Sequence, residues 1–213
     1  MGKQPRPRKE EPRTTKPTDM EGRLIDAMLD LAASRGWRDI SLSDIASAAG
    51  VKVADLYPTY PSKMAVMVAV IHRIDREVLG AGFKFAAEDT VRDRLFEVLM
   101  RRFDALQPHR EAVRRIRRDL ARVPAEAAAL LPVIACSMTW MLSAAETGAD
   151  GPAGRIKTAG LTGVWLRTMA VWVDDDSADM ARTMAALDRN LSRAGRCARF
   201  LFGRGREPRH EAA

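Results

Sequence analysis

The chain has 213 residues and a mass of 23.6 kDa, 46% hydrophobic and 30% charged, which is material for one or two domains around a buried core. No uninterrupted apolar run approaches the ~18–20 residues of a membrane span, the basic, proline-rich N-terminus lacks the apolar region of a secretory signal, and Cys136 and Cys197 are too few for a disulfide framework or a cysteine-based zinc site. The net charge of +7 sits at the ends: residues 1–18 and 193–213 each carry +4, and the stretch between them carries −1. Basic ends suit a polyanion, either nucleic acid or an anionic lipid surface, or serve as solubilising tails. The two thiols are expected to be reduced and half-buried in a cytoplasmic protein.

Residues 1–18 hold four prolines among charges and read as a disordered arm; residues 203–213 read as a basic tail. From Glu21 the pattern is helical, with Leu24, Met28, Leu31 and Ala32 at the spacing of one helix face and Gly36 as the stop. The rest reads as helices over 42–48, 53–58, 63–80, 90–106, 110–121, 125–147, 153–173 and 178–202, an all-α chain. Ser41 with Asp44 fits a capping box, and Ser62 is a second N-cap candidate. Pro132 falls inside the helix 125–147 and is expected to kink it.

Residues 41–63, SLSDIASAAGVKVADLYPTYPSK, have the layout of a helix-turn-helix. Ile45, Ala46 and Leu56 face inward, Ala49 and Gly50 make the turn, and Val51 packs the corner. In that layout the second helix enters the DNA major groove. The candidate DNA-facing residues are Ser41, Lys52, Val53, Ala54, Tyr57, Thr59, Tyr60 and Lys63. With Gly36-Trp37 before it and a long apolar helix after it, the segment 21–80 resembles the N-terminal domain of the TetR family of transcriptional regulators. The resemblance implies phosphate contacts from Tyr57 and Lys63, with Tyr60 closing the hydrophobic corner. Pro58-Thr59 stand where that family usually has an Arg-His-like pair, and Pro58 is expected to shorten or distort the reading helix. Asp55 puts a negative charge on it, which repels phosphate unless it reads a cytosine amino group. Residues 19–77 carry net −2, so usable positive charge comes from the arm.

Residues 81–202 read as a ligand-binding and dimerisation body without a catalytic constellation, a phosphate-binding glycine loop or metal-ligand spacing among His72, His109 and His210. Asp174, Asp175 and Asp176 read as a helix connection ending in a cap at Ser177. The body is rich in Met and Trp, and an apolar cavity lined by Met100, Trp140, Trp165, Met169 and Trp172 is expected. The stretches DRLFEVLMRRFDALQPHR and LTGVWLRTMAVWVDDDSADMARTMAALDRNL also resemble a TetR-fold group related to the lipid-binding accessory protein of ubiquinone biosynthesis, which implies an isoprenoid lipid held at a membrane. The last helix has Leu191, Ala194, Ala198 and Leu201 on one side and Arg189, Arg193, Arg196 and Arg199 on the other, which suits either an anionic membrane face or packing on the bundle. The helix near 110–122, with Arg114, Arg115, Arg117, Arg118 and Arg122, reads as a solvated face.

The leading expectation is a ligand-responsive, DNA-binding homodimer with no catalysis and no cofactor. The alternative is a lipid-presenting accessory protein of ubiquinone biosynthesis at the inner membrane face.

Overall fold

The computed structural model of the chain describes residues 17–202, with side chains over residues 20–198. The described residues form helices α1 (Pro17–Arg35), α2 (Leu42–Ala48), α3 (Val53–Leu56), α4 (Lys63–Gly80), α5 (Val91–Leu106), α6 (Arg110–Leu120), α7 (Pro124–Ala144), α8 (Gly151–Trp172) and α9 (Ala181–Phe202), and no strand. A single 3-10 turn, Gln107–His109, joins α5 to α6. Residues 1–16 of the arm and the tail (203–213) lie outside the described residues. So do the side chains of Arg199 and Leu201. Pro17 and Thr18, read as part of the arm, open α1.

Local chemistry sets most of the boundaries. Ser41 accepts from the Asp44 amide while Asp44 accepts from the Ser41 amide, so two orphan donors of α2 are satisfied at once. Thr90 and Asp93 make the same box at α5, and Ser62 caps α4. Gly36, at φ 92°, ends α1 in the left-handed region, where a side chain would also meet the Asp119 carboxylate.

The helices close around two cores. The first holds Leu24, Met28, Trp37, Ile45, Leu56 and Val66 from α1–α4 and the α1–α2 loop, and it takes in Ala112 and Ile116 of α6 and Leu130 of α7. The second holds Ile74 and Val78 of α4 with apolar faces of α5, α7, α8 and α9, among them Phe103, Trp165 and Trp172. α4 therefore serves both cores, and α6 joins the first core through Ala112 and Ile116.

Several expectations change. α6 is not merely a solvated face. Arg114 Nε donates to the Val173 carbonyl at 2.7 Å, Arg110 donates to the Asp175 carbonyl, and Arg115 donates to the Ser34 carbonyl at 3.0 Å. Two of these cations sit where the α8 dipole ends in unsatisfied carbonyls, and the third ties α6 to α1. Both cysteines are exposed rather than half-buried. α7 continues through Pro132 and is, by length and composition, apolar enough to cross a membrane, although its sequence reads as interrupted; here it packs against α4, α5, α6 and α8. α9 packs on α8 and α5, with Leu191 buried and Ala194 against the second core, so its apolar side is used inside the bundle.

Asp75 of α4 and Arg102 of α5 form an ion pair inside the second core, with side chains 9% and 4% exposed. Ser137 of α7 donates to the same Asp75 oxygen at 2.7 Å, and the Arg102 guanidinium lies 4.9 Å from the Trp165 ring centroid. Three helices are thus tied at one buried point.

Candidate nucleic-acid interface

The α2–α3 unit is held from behind. The Arg23 guanidinium donates to the Ala49 carbonyl at 3.1 Å, and Gly50 turns the chain at φ 64°. The Val51 amide returns to the Ala46 carbonyl at 2.9 Å. α3 stops at Leu56, two residues earlier than its periodicity suggests, because Pro58 has no N–H to give the Ala54 carbonyl. The chain closes instead with Thr59 and Tyr60 amides on the Leu56 carbonyl, at 3.0 and 2.7 Å.

This anchoring presents one side of the unit to solvent. Ser41, Lys52, Val53, Ala54, Asp55, Tyr57 and Thr59 are all exposed, Tyr57 at 81%. Lys52 and Asp55 have no ion-pair partner among the described residues. The Ser41 hydroxyl is engaged with Asp44 in the α2 cap.

Tyr60 and Lys63 are placed differently from the other six. Tyr60 is buried at 6% exposure and its hydroxyl donates to Glu21 at 3.1 Å. Burial first, and then that carboxylate, push the phenol up to about 12. The Lys63 ammonium donates to the carbonyls of Trp37 and Ile40 at 2.9 and 3.2 Å and sits 4.5 Å from the Trp37 ring centroid. Both side chains tie the headpiece together, Tyr60 from a buried position and Lys63 half-buried at the start of α4.

The body contains a cavity of about 810 Å³ between the start of α5, the end of α7, the first half of α8 and the second half of α9. Val91, Leu95, Leu142, Ile156, Leu161 and Leu191 are among its apolar walls. None of Met100, Trp140, Trp165, Met169 and Trp172, the residues expected to line a cavity, lines this one. Trp165 and Trp172 pack on Phe103, with ring centroids 4.6 and 5.7 Å apart, and Trp172 Nε1 donates to Gln107 at 3.1 Å. Met100 and Met169 lie half-buried against that core, and Trp140 points outward at 56% exposure. The large rings fill space instead of bounding it. The gap opens where Gly160 of α8 and Ala194, Gly195 and Ala198 of α9 leave little side-chain volume.

Residues 24–70, which span α1 to the first half of α4, match the family model of bacterial regulatory proteins of the tetR family. That match falls on the headpiece. Beyond it, the chain is 25% identical over 162 residues, 74% of each chain, to the HTH-type transcriptional activator FasR of Mycolicibacterium smegmatis. Its fold is that of a TetR transcriptional regulator from Nitrosomonas europaea, at TM-score 0.64 and 22% identity, over 83% of this chain and 98% of the other. A TetR regulator from Rhodococcus sp. RHA1 matches at TM-score 0.60 and 22% identity, over 83% and 96%. These comparisons give the ubiquinone-accessory resemblance no support.

The headpiece is fastened to the body by contacts that sequence reading missed. Trp37 Nε1 donates to Glu126 of α7 at 2.7 Å, and the Arg38 amide donates to Asp119 of α6 at 3.2 Å. The α8–α9 connection, read as a cap, is built on Asp175, which is fully buried. It accepts from the amides and hydroxyls of Ser177 and Thr183, and the Ser177 hydroxyl in turn accepts from the Ala181 amide at 3.0 Å; α9 starts at Ala181, three residues later than expected, so Ser177 satisfies its first amide from the connection without being its N-cap. Burial acts to raise the Asp175 carboxyl, but these four donors outweigh it and hold the group at about 2, against an ordinary 3.8. No group of metal-binding side chains forms among the described residues.

A depressed folded-state value contributes stability that is complete above 3.8 and lost as pH falls through about 2. Asp175→Asn is therefore expected to lower the urea midpoint at pH 7, with the gap from the parent closing as pH drops across that window. A gap of constant size from pH 6 to pH 2 would show that the charge contributes nothing.

Proposed function

We propose that this chain is a DNA-binding transcriptional regulator of the tetR type that acts as a homodimer and takes an apolar ligand in its body. The observation that carries the reading is the α2–α3 unit. It is fixed on its inner side by Arg23, Leu56 and Tyr60, and its outer side shows Lys52, Val53, Ala54, Tyr57 and Thr59 to solvent. Support comes from the family match over residues 24–70 and from regulators with the same fold. Two headpieces reading one face of DNA must lie ~34–36 Å apart, or a multiple of it, which needs two copies. Gly163 and Leu166 of α8, one turn apart and outside the cavity lining, offer small and apolar groups for that association.

The cavity between α5, α7, α8 and α9 is the ligand site of this reading. Its walls are mostly carbon, and the Lys157 ammonium, held only by the Thr147 and Gly148 carbonyls at 2.6 and 3.2 Å, is a polar group on its lining. A Cβ at Gly160 meets nothing within 4 Å, so Gly160→Leu is accommodated and fills the space. In a mobility-shift assay, the full chain is expected to retard duplex DNA at low salt, and 1-decanol is expected to change the retardation of the parent but not of Gly160→Leu. Absence of any retarded band would overturn the regulator reading. Equal response of parent and variant would move the ligand site elsewhere.

A further inference from the structure

We propose that the reading helix recognises thymine through its 5-methyl group, with Val53 and Ala54 as the specificity-determining side chains. This rests on the DNA-binding reading above and says which base edge the same surface fits. From Val51 to Ser62 the chain has no Arg, Asn, Gln or His. The forked side chains that pair two hydrogen bonds with guanine or adenine edges are thus missing from the reading helix and the turn after it. Apart from Lys52, which can donate to a guanine edge, discrimination by this helix has to come from other chemistry.

The surface supplies it. Val53, at the first position of α3, is 49% exposed, and Ala54 beside it is exposed as well. Both end in carbon alone. With Leu42, Tyr57, Tyr60 and Pro61 they line a shallow apolar depression on the headpiece. The Tyr60 hydroxyl is already committed to Glu21, so that ring offers the depression only its carbon framework. The first residues of the second helix are the ones that meet base edges in a helix-turn-helix. The apolar group that a base pair presents in the major groove is the thymine methyl, and small aliphatic side chains are its partners.

The flanking charges favour a base edge there over the sugar-phosphate backbone. Asp55 follows Ala54 directly, is exposed and has no cation paired to it among the described residues. A carboxylate at that point repels phosphate and accepts from a cytosine amino group. Lys52, on the other side of Val53 and equally unpaired, is the group suited to the backbone. The unit thus presents a cation, then two aliphatic side chains, then an acceptor, which fits a groove wall followed by pyrimidine edges.

The test begins with the full chain and a pool of random-sequence duplexes at low salt, from which the retained sequences are enriched. Each thymine of the enriched half-site is then replaced singly by deoxyuridine, which removes the methyl group and leaves every hydrogen-bonding group in place. Substitution of at least one thymine per half-site is expected to weaken binding about fourfold, the loss of one buried methyl group. In Val53→Ala, whose parent side chain is half-exposed, the thermal midpoint should be unchanged while the penalty at one such position falls toward none. Deoxyuridine equal to thymine at every position, or an enriched half-site without thymine, overturns the proposal. An unchanged penalty in Val53→Ala overturns the assignment to that residue. A pool from which nothing is retained overturns the DNA-binding reading itself, and this proposal with it.

Discussion

Asp75→Ala is expected to destabilise the protein by about 3–5 kcal/mol, because it leaves the Arg102 guanidinium inside the second core with no counter-charge. The Ser137 hydroxyl loses its acceptor in the same step. Arg102 Nε already has no hydrogen-bond partner, so the cation depends on Asp75 and on the face of Trp165. Burial alone pushes the Arg102 guanidinium below its ordinary value, and Asp75 is what opposes it. Urea unfolding of the variant should show the full loss, while Asp75→Leu combined with Arg102→Met should recover most of it, since well-packed apolar side chains often replace a buried pair at no net cost. A single variant as stable as the parent would mean that the pair is solvated. The consequence reaches past stability: Asp75 lies on the body half of α4, whose other half belongs to the headpiece core, so loosening it frees the helix that the two cores share.

Trp37→Ala is expected to cost a similar amount, about 3–5 kcal/mol, as an aromatic side chain leaves a cavity in the headpiece core. Trp37 is fully buried, gives its indole N–H to Glu126, and carries the Lys63 ammonium over its ring. Its removal therefore cuts the tie to α7 and loosens the start of α4 together. The thermal midpoint should fall and DNA retention should fall with it, because α2 and α3 are packed on the same core. Trp37→Phe keeps most of the volume and loses only the hydrogen bond, for about 1–2 kcal/mol. Trp37→Phe as damaging as Trp37→Ala would show that the Glu126 contact, not the packing, holds the headpiece.

These two sites also show where the sequence was readable and where it was not. Helix spacing, the Ser41 and Ser62 caps and Gly36 place the headpiece helices within a residue or two, apart from the start of α1 and the end of α3, because each signal is local. Pro58 correctly marks the early end of the reading helix for the same reason. Tyr57 and Tyr60 are three residues apart, yet one is 81% exposed and the other 6% exposed. Only the packing of Leu56 and the position of Glu21 separate them, and neither is a local property. Arg102 does carry a sequence signal: it occupies a core-facing position in the series Leu95, Leu99, Arg102, Leu106. Its counter-charge, Asp75 on α4, is 27 positions away, so the series marks the anomaly without naming what neutralises it. The cavity between α5, α7, α8 and α9 is not lined by the Met and Trp residues that composition suggests. Large side chains close space, and it is the glycine and alanine positions of α8 and α9 that leave it open. The arginines of α6 look like a solvated face in one dimension because the carbonyls they bind end a helix more than fifty residues later.

The most direct test is the dissociation constant of the full chain for its enriched duplex, measured as salt is raised, for the parent and for Lys52→Ala. The parent is expected to bind with a steep, linear fall of log affinity against log salt. Lys52→Ala, which removes an exposed and unpaired cation beside α3, should bind more weakly across sequence variants, with a slope shallower by about 1. A parent whose affinity ignores salt, or a Lys52→Ala variant with unchanged affinity and unchanged slope, would contradict the placement of DNA on the outer side of α3.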